Sequence, residues 1–174
     1  MQISIYDLTV PQFILSLEAL KGILRKCQGF AETKKFDPSV LLQTRLAPDQ
    51  FPLAKQIQIT CDGAKFCVAR LTGVEAPVFA DKEVALDEFM NRIDKTIHFL
   101  RTIKPEQFEG FETRQARFHW NPGKHLEGRN YLVQHAIPNF YFHLATAYSI
   151  LRASGVEIGK ADFLGAQDWE TDTK

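Results

Sequence analysis

Charge of one sign is not in excess in this 174-residue chain, since 21 lysines and arginines face 21 aspartates and glutamates. Without a net field to draw phosphate backbones or anionic lipid, a nucleic-acid or membrane-surface function has no electrostatic support. Long apolar runs are also missing: no stretch approaches the roughly 18 residues of a membrane span. The start, Met1-Gln-Ile-Ser-Ile-Tyr-Asp7, lacks the basic residues and apolar run of a signal peptide, so a cytoplasmic protein is expected. Cysteine is scarce. Cys27, Cys61 and Cys67 form no Cys-x-x-Cys pair, which excludes a zinc ribbon or a dithiol redox motif. Cys27 and Cys61 continue apolar stripes and Cys67 sits beside one, so buried reduced thiols are expected. Two Trp and four Tyr against fourteen Phe point to a core of rings that need no hydrogen-bond partner.

What is present is helical periodicity over one ordinary domain, residues 1–174, with no repeat, low-complexity tract or linker. Val10, Phe13, Leu17, Leu20, Leu24 and Cys27 recur at spacings of three and four. They predict a long first helix with Thr9 as N-cap and Pro11 in the first turn. Asp37-Pro38 opens a short helical turn to about residue 42. Leu53, Ile57, Cys61, Ala64, Val68 and Leu71 mark a second helix over about 52–71, stopping near Gly73. A third helix, beginning at Asp81 or Glu83, carries Leu86, Phe89, Ile93, Ile97 and Leu100.

The pattern then alternates by twos over about 111–120, and Asn121-Pro-Gly-Lys124 supplies the residues of a type II turn. A small β-hairpin over about 111–126 is expected, with His119 and His125 flanking its turn. The fourth helix is expected over about 129–154, with Gly155 as its stop. In the tail, 156–174, Ile158, Phe163, Leu164 and Trp169 suggest that part folds back while the last polar residues fray. The fold class is thus all-α: a four-helix bundle with a small hairpin between helices three and four.

The chemistry-bearing candidates lie in the fourth helix. Its expected buried stripe is Val133, Ala136, Phe140, Leu144, Ala147 and Leu151. His143 falls about 60° from the stripe's centre and should point inward, Asn139 lies near the edge, and His135 swings outward. Pro138 removes the amide that would reach the carbonyl of Gln134, so a kink that opens a pocket is expected. The plainer reading is that Asn139 and His143 bond backbone groups or helix two. His98, four residues after Asp94, is expected in an exposed ion pair, and Gly159-Lys160 is only a loop. Tyr141 and Tyr148 read as packing residues, and no nucleophile–base pair or pair of catalytic carboxylates is evident.

The stretch Pro138-Asn-Phe-Tyr-Phe-His143-Leu-Ala-Thr-Ala-Tyr148-Ser-Ile-Leu-Arg152, with Gly155, Gly159-Lys160 and Asp162-Phe163-Leu164-Gly165, resembles a bacterial family of uncharacterised domains. That family is placed in the DinB/YfiT-like superfamily of four-helix bundles. Tyr6-Asp-Leu-Thr-Val-Pro11-Gln-Phe13, Leu46-Ala-Pro-Asp49, Phe51-Pro-Leu53 and Cys61-Asp62-Gly-Ala-Lys65 resemble its earlier blocks, so the likeness spans nearly the whole chain.

The superfamily's better-known members look like metal proteins with three histidines, one on helix two and a His-x-x-x-His pair on helix four. Some are metal-dependent thiol transferases or isomerases. The spacing to Leu151-Arg152 and Gly155 matches the second histidine of the pair to His143. Asn139 then stands at the first histidine's place, and the helix-two position falls at or near Asp62. Two expected histidines are replaced, leaving a degenerate metal-site position. The resemblance also implies dimerisation, and a homodimer is expected.

Two function classes follow. One is a self-associating or small-molecule-binding bundle with a pocket beneath the Pro138 kink. The other is an enzyme acting on a small thiol or similar molecule through a divalent ion at Asp62, Asn139 and His143, with nickel, zinc or manganese the ions to consider. His135 is a fourth pocket candidate, although i and i+8 stand roughly 12 Å apart along a regular helix axis.

Overall fold

The computed structural model describes residues 3–171. Helix α1 (Ile5–Lys34) begins four residues before the expected cap, because Ser4 and Asp7 form a reciprocal capping box. The Ser4 hydroxyl accepts from the Asp7 amide, and the Asp7 carboxylate accepts from the Ser4 amide. Thr9 is therefore no cap: it is buried, with its hydroxyl donating to the carbonyl of Ile5, and Pro11 lies inside the helix. A 3₁₀ turn (Pro38–Gln43) capped by Asp37 leads to α2 (Leu53–Thr72). Gly73, at φ +78°, closes α2 in a left-handed conformation that suits glycine.

Helix α3 (Leu86–Arg101) starts later than the sequence pattern suggests. The Glu88 carboxylate accepts from the amides of Val84 and Ala85 and fixes the start there. Asp81 and Glu83 stay in the irregular segment before it, where each bonds the Arg92 guanidinium. His98 does not hold Asp94, because Lys21 of α1 takes that carboxylate at 2.6 Å.

The hairpin is shorter than expected. Phe111–Thr113 forms a 3₁₀ turn, and only β1 (Gln115–Arg117) and β2 (His125–Glu127) pair, antiparallel. Arg117, not His119, stands opposite His125. The hairpin root abuts the last long helix at Gly128, where any Cβ would fall 1.8 Å from the carbonyl oxygen of Phe111. Glycine here allows two backbones to meet.

The last long helix runs over residues 128–153 in three parts: α4 (Gly128–Tyr131), a π turn (Leu132–Ala136) and α5 (Ile137–Ala153). Pro138 offers no amide to the carbonyl of Gln134 and crowds it, and the chain answers with a wider turn in which the amide of Ile137 bonds the carbonyl of Leu132. Beyond it, Val156 and Ile158 are buried, and α6 (Lys160–Leu164) packs on α1. Trp169 is exposed, and the expected fraying end, 172–174, lies outside the described residues.

The apolar stripes of α1, α2 and α3 meet in one core, with Phe13 of α1 packed on Phe140 of α5 at 4.4 Å between centroids. The apolar stripes of α1 and α2 are buried inside the molecule. All three cysteines are free and buried, with burial pushing the Cys27 thiol up to about 11 and those of Cys61 and Cys67 up to about 12. Among the described residues no helix is long and apolar enough to cross a membrane.

Candidate functional site

Helices α2 and α5 lie antiparallel, so residues climbing one meet residues descending the other. Gln56 faces His143, Gly63 faces Asn139 and Phe140, and Arg70 faces Tyr131. Between the helices and the hairpin runs a cleft of about 700 Å³, within the ordinary range for a small-molecule pocket. Asp62, His135, Asn139 and His143 all line it. From Lys55 to Arg70 the wall extends roughly 20 Å along α2.

At one end His143 is 8% exposed, and its Nδ1 lies 2.7 Å from Gln56 Oε1. The Gln56 amide nitrogen donates to the carbonyl of Phe51, which fixes the oxygen toward the imidazole. Nδ1 must therefore carry the proton, leaving the lone pair on Nε2. Nε2 has no hydrogen-bond partner among the described residues, and burial pushes the imidazole down to about 4, so it is neutral near pH 7. The plainer expectation for His143, a bond to helix two, is met by Gln56 on α2, yet it uses only one ring nitrogen. Asn139, half-buried one turn away, makes no side-chain hydrogen bond among the described residues.

Asp62 sits at the middle of the wall, and its Oδ1 accepts from Lys65 at 2.9 Å and Arg92 at 2.8 Å. The i, i+3 pair with Lys65 was legible in the sequence, but Arg92 was not. Both cations are almost wholly buried, and both lie over the Phe79 ring, at 4.0 Å for Lys65 and 4.7 Å for Arg92. Arg92 also bonds Asp81 at 2.7 Å and Glu83 at 2.9 Å. Burial alone would lower its basicity, but these carboxylates outweigh it and raise it. Burial likewise works against ionising Asp81 and Glu83, and the bonds to Arg92 overcome it, holding both carboxyls below their usual range.

The far end of the cleft is aromatic. Phe118 and Trp120 reach down from the hairpin, with centroids 4.8 Å apart, and the His135 ring meets Phe118 at 4.7 Å and stacks on Tyr131 at 5.8 Å. His135 reaches the cleft because the π turn rotates the residues before it. The same rotation leaves Val133, expected in the buried stripe, 62% exposed, and buries Tyr131. Burial first, and then the charge of Arg70, hold the His135 imidazole below its ordinary value. Arg70, Phe66, Phe118, Trp120 and Tyr131 are site residues that sequence reasoning missed. Their only signal was their place on the second helix, the hairpin and the start of the last helix, without a spacing to mark them.

A divalent ion at Asp62, Asn139 and His143 does not fit this arrangement. Asp62 is committed to two buried cations, whose charge would repel a metal ion beside it. Among the described residues no three His, Cys, Asp or Glu side chains gather as metal ligands.

Residues 5–164 match the family model described as Domain of unknown function (DUF1993). A crystal structure of a DinB family member protein from Shewanella denitrificans is 47% identical, covers 96% of this chain and 95% of its own, and superposes with a TM-score of 0.92. No curated protein matches the chain. The helical order, the small hairpin and these likenesses agree: the chain belongs to the DUF1993 family and has the DinB-like fold.

Proposed function

We propose that this protein binds a small organic molecule, without a metal, in the cleft between α2 and α5. One observation carries the reading: four polar side chains from two helices, Asp62, His135, Asn139 and His143, line a single cleft that also holds exposed aromatic surface. His143 presents an unprotonated Nε2, Asn139 an uncommitted amide, and Phe118 and Trp120 flat apolar faces. A few converging polar groups on an otherwise apolar wall orient a ligand while burial holds it.

The test is a thermal-shift screen of small molecules against the protein and an Ile59→Trp variant, which fills the cleft from α2 without altering its polar groups. A ligand of the cleft raises the melting temperature of the first and not of the second. If hits shift both equally, or no compound shifts the parent, this function is wrong.

Self-association is a second proposal. It is supported by Val133 and Phe142, which stand 62% and 58% exposed on the last helix. Sedimentation should give a dimer that Phe142→Lys dissociates, and a monomer at all concentrations refutes it.

A further inference from the structure

Two cations line the cleft, Lys55 and Arg70, and they differ in what balances them. Lys55 Nζ lies 3.3 Å from the Asp81 carboxylate, and the cleft's own carboxylate, Asp62, is held by Lys65 and Arg92. Arg70 has no carboxylate partner among the described residues. Its one side-chain bond runs from Nη1 to the neutral hydroxyl of Tyr131, at 3.1 Å. The positive charge at this end of the cleft is uncompensated.

The guanidinium is nevertheless held in place. Its carbon lies 4.8 Å from the Phe118 centroid, 5.2 Å from Phe66 and 5.5 Å from Tyr131. Rings against a planar cation desolvate its faces and leave its edge as the place where N–H groups meet a partner. A side chain already ordered by three rings and a hydroxyl loses little further freedom when a ligand arrives. Two N–H groups on one edge of a guanidinium match the two oxygens of a carboxylate.

We propose that Arg70 makes the cleft selective for small aromatic carboxylates, the carboxylate on the free edge of Arg70 and the ring against Phe118 and Trp120. The proposal rests on the cleft being a small-molecule site and names the ligand class. Trp120 is 60% exposed and tilted 38° to Phe118, so the pair offers a ligand ring an open aromatic face beside the cation. His135 also meets Phe118, but burial and then the charge of Arg70 hold its imidazole below the ordinary value and disfavour a second cation there, so Arg70 is the anion's partner.

Matched probes separate charge from shape. 2-Naphthoate and 2-naphthamide share a ring system and differ in the anion, and their affinities can be measured by calorimetry at low salt. The parent protein should bind naphthoate at least tenfold more tightly, and raising the salt should narrow that preference. Arg70→Gln should abolish the preference, and Arg70→Lys, which keeps charge without the planar fork, should keep part of it. Circular dichroism and melting temperature establish that each variant is folded, and the comparison on the parent with its salt dependence needs no variant. Equal affinity for the two probes, or a preference that survives in folded Arg70→Gln, overturns the carboxylate assignment. If neutral compounds bind the cleft while neither naphthalene probe does, this inference fails and the cleft's function stands. If nothing binds, both fail.

Discussion

Replacing Arg92 with methionine is expected to destabilise the protein by about 3–5 kcal/mol, a large part of the total stability of a domain this size. Arg92 is 1% exposed at its side chain and is shared by Asp62, Asp81 and Glu83. Removing it leaves three carboxylates with only Lys65 and Lys55 to answer them, and the irregular segment before α3 loses its anchor. Methionine keeps the volume of the stem, so the effect reports charge and not a cavity. Arg92→Lys retains the charge, but one ammonium cannot span three acceptors held by a planar fork, so an intermediate loss is expected. Urea unfolding measures both. A midpoint for Arg92→Met unchanged from the parent would show that the network contributes nothing net. Arg92 Nε is buried without a partner among the described residues, so even the native network is not fully satisfied there.

The second large effect is a dependence of stability on pH set by His143. Its imidazole is held at about 4 by burial, against 6.5 when free. Between these values the unfolded chain takes up a proton that the folded protein refuses, so acid favours unfolding. The contribution is fully present above about pH 6.5, declines as pH falls toward 4, and changes no further below it. The loss across the window is on the order of 3 kcal/mol. His143→Gln should remove this part of the slope, and the difference between the two unfolding profiles isolates it from His135, which is shifted the same way. Imidazole resonances give a direct check: His143 should remain neutral at pH 5. A titration midpoint near 6.5 would mean that the ring is not buried as described.

The helices were legible because their apolar stripes repeat over many turns. Phe13, Leu17, Ile57, Cys61, Phe89 and Ile93 are all completely buried. The ends were less so, since a cap is a local contest. Ser4 and Asp7 prevail over Thr9, and Glu88 holds the start of α3 behind Asp81 and Glu83. The candidate site was half legible. His143 and Asn139 lie where a regular wheel puts them, because both follow Pro138. His135 and Val133 precede it, and the π turn exchanges their surroundings, so a wheel of constant pitch misplaces both. A proline marks that a helix must yield, but not whether it yields by a bend or by an inserted residue.

The role of Asp62 depended on a partner thirty residues away. Lys65 at i+3 is a local relation, whereas Arg92 arrives through the packing of α3 on α2. That second cation turns a possible metal ligand into the acceptor of a buried ion-pair network. The aromatic end of the cleft is equally non-local, since it forms only when the hairpin folds down beside Arg70.

That a small molecule occupies the cleft between α2 and α5 is tested most directly by titrating the ¹⁵N-labelled protein with a compound that raises its melting temperature. The shifts should be largest at Lys55, Gly63, Arg70, Trp120 and Asn139 and should saturate together, with the His143 ring nitrogens moving in step. Saturating shifts confined to residues away from the cleft, with these five unmoved, would contradict the account.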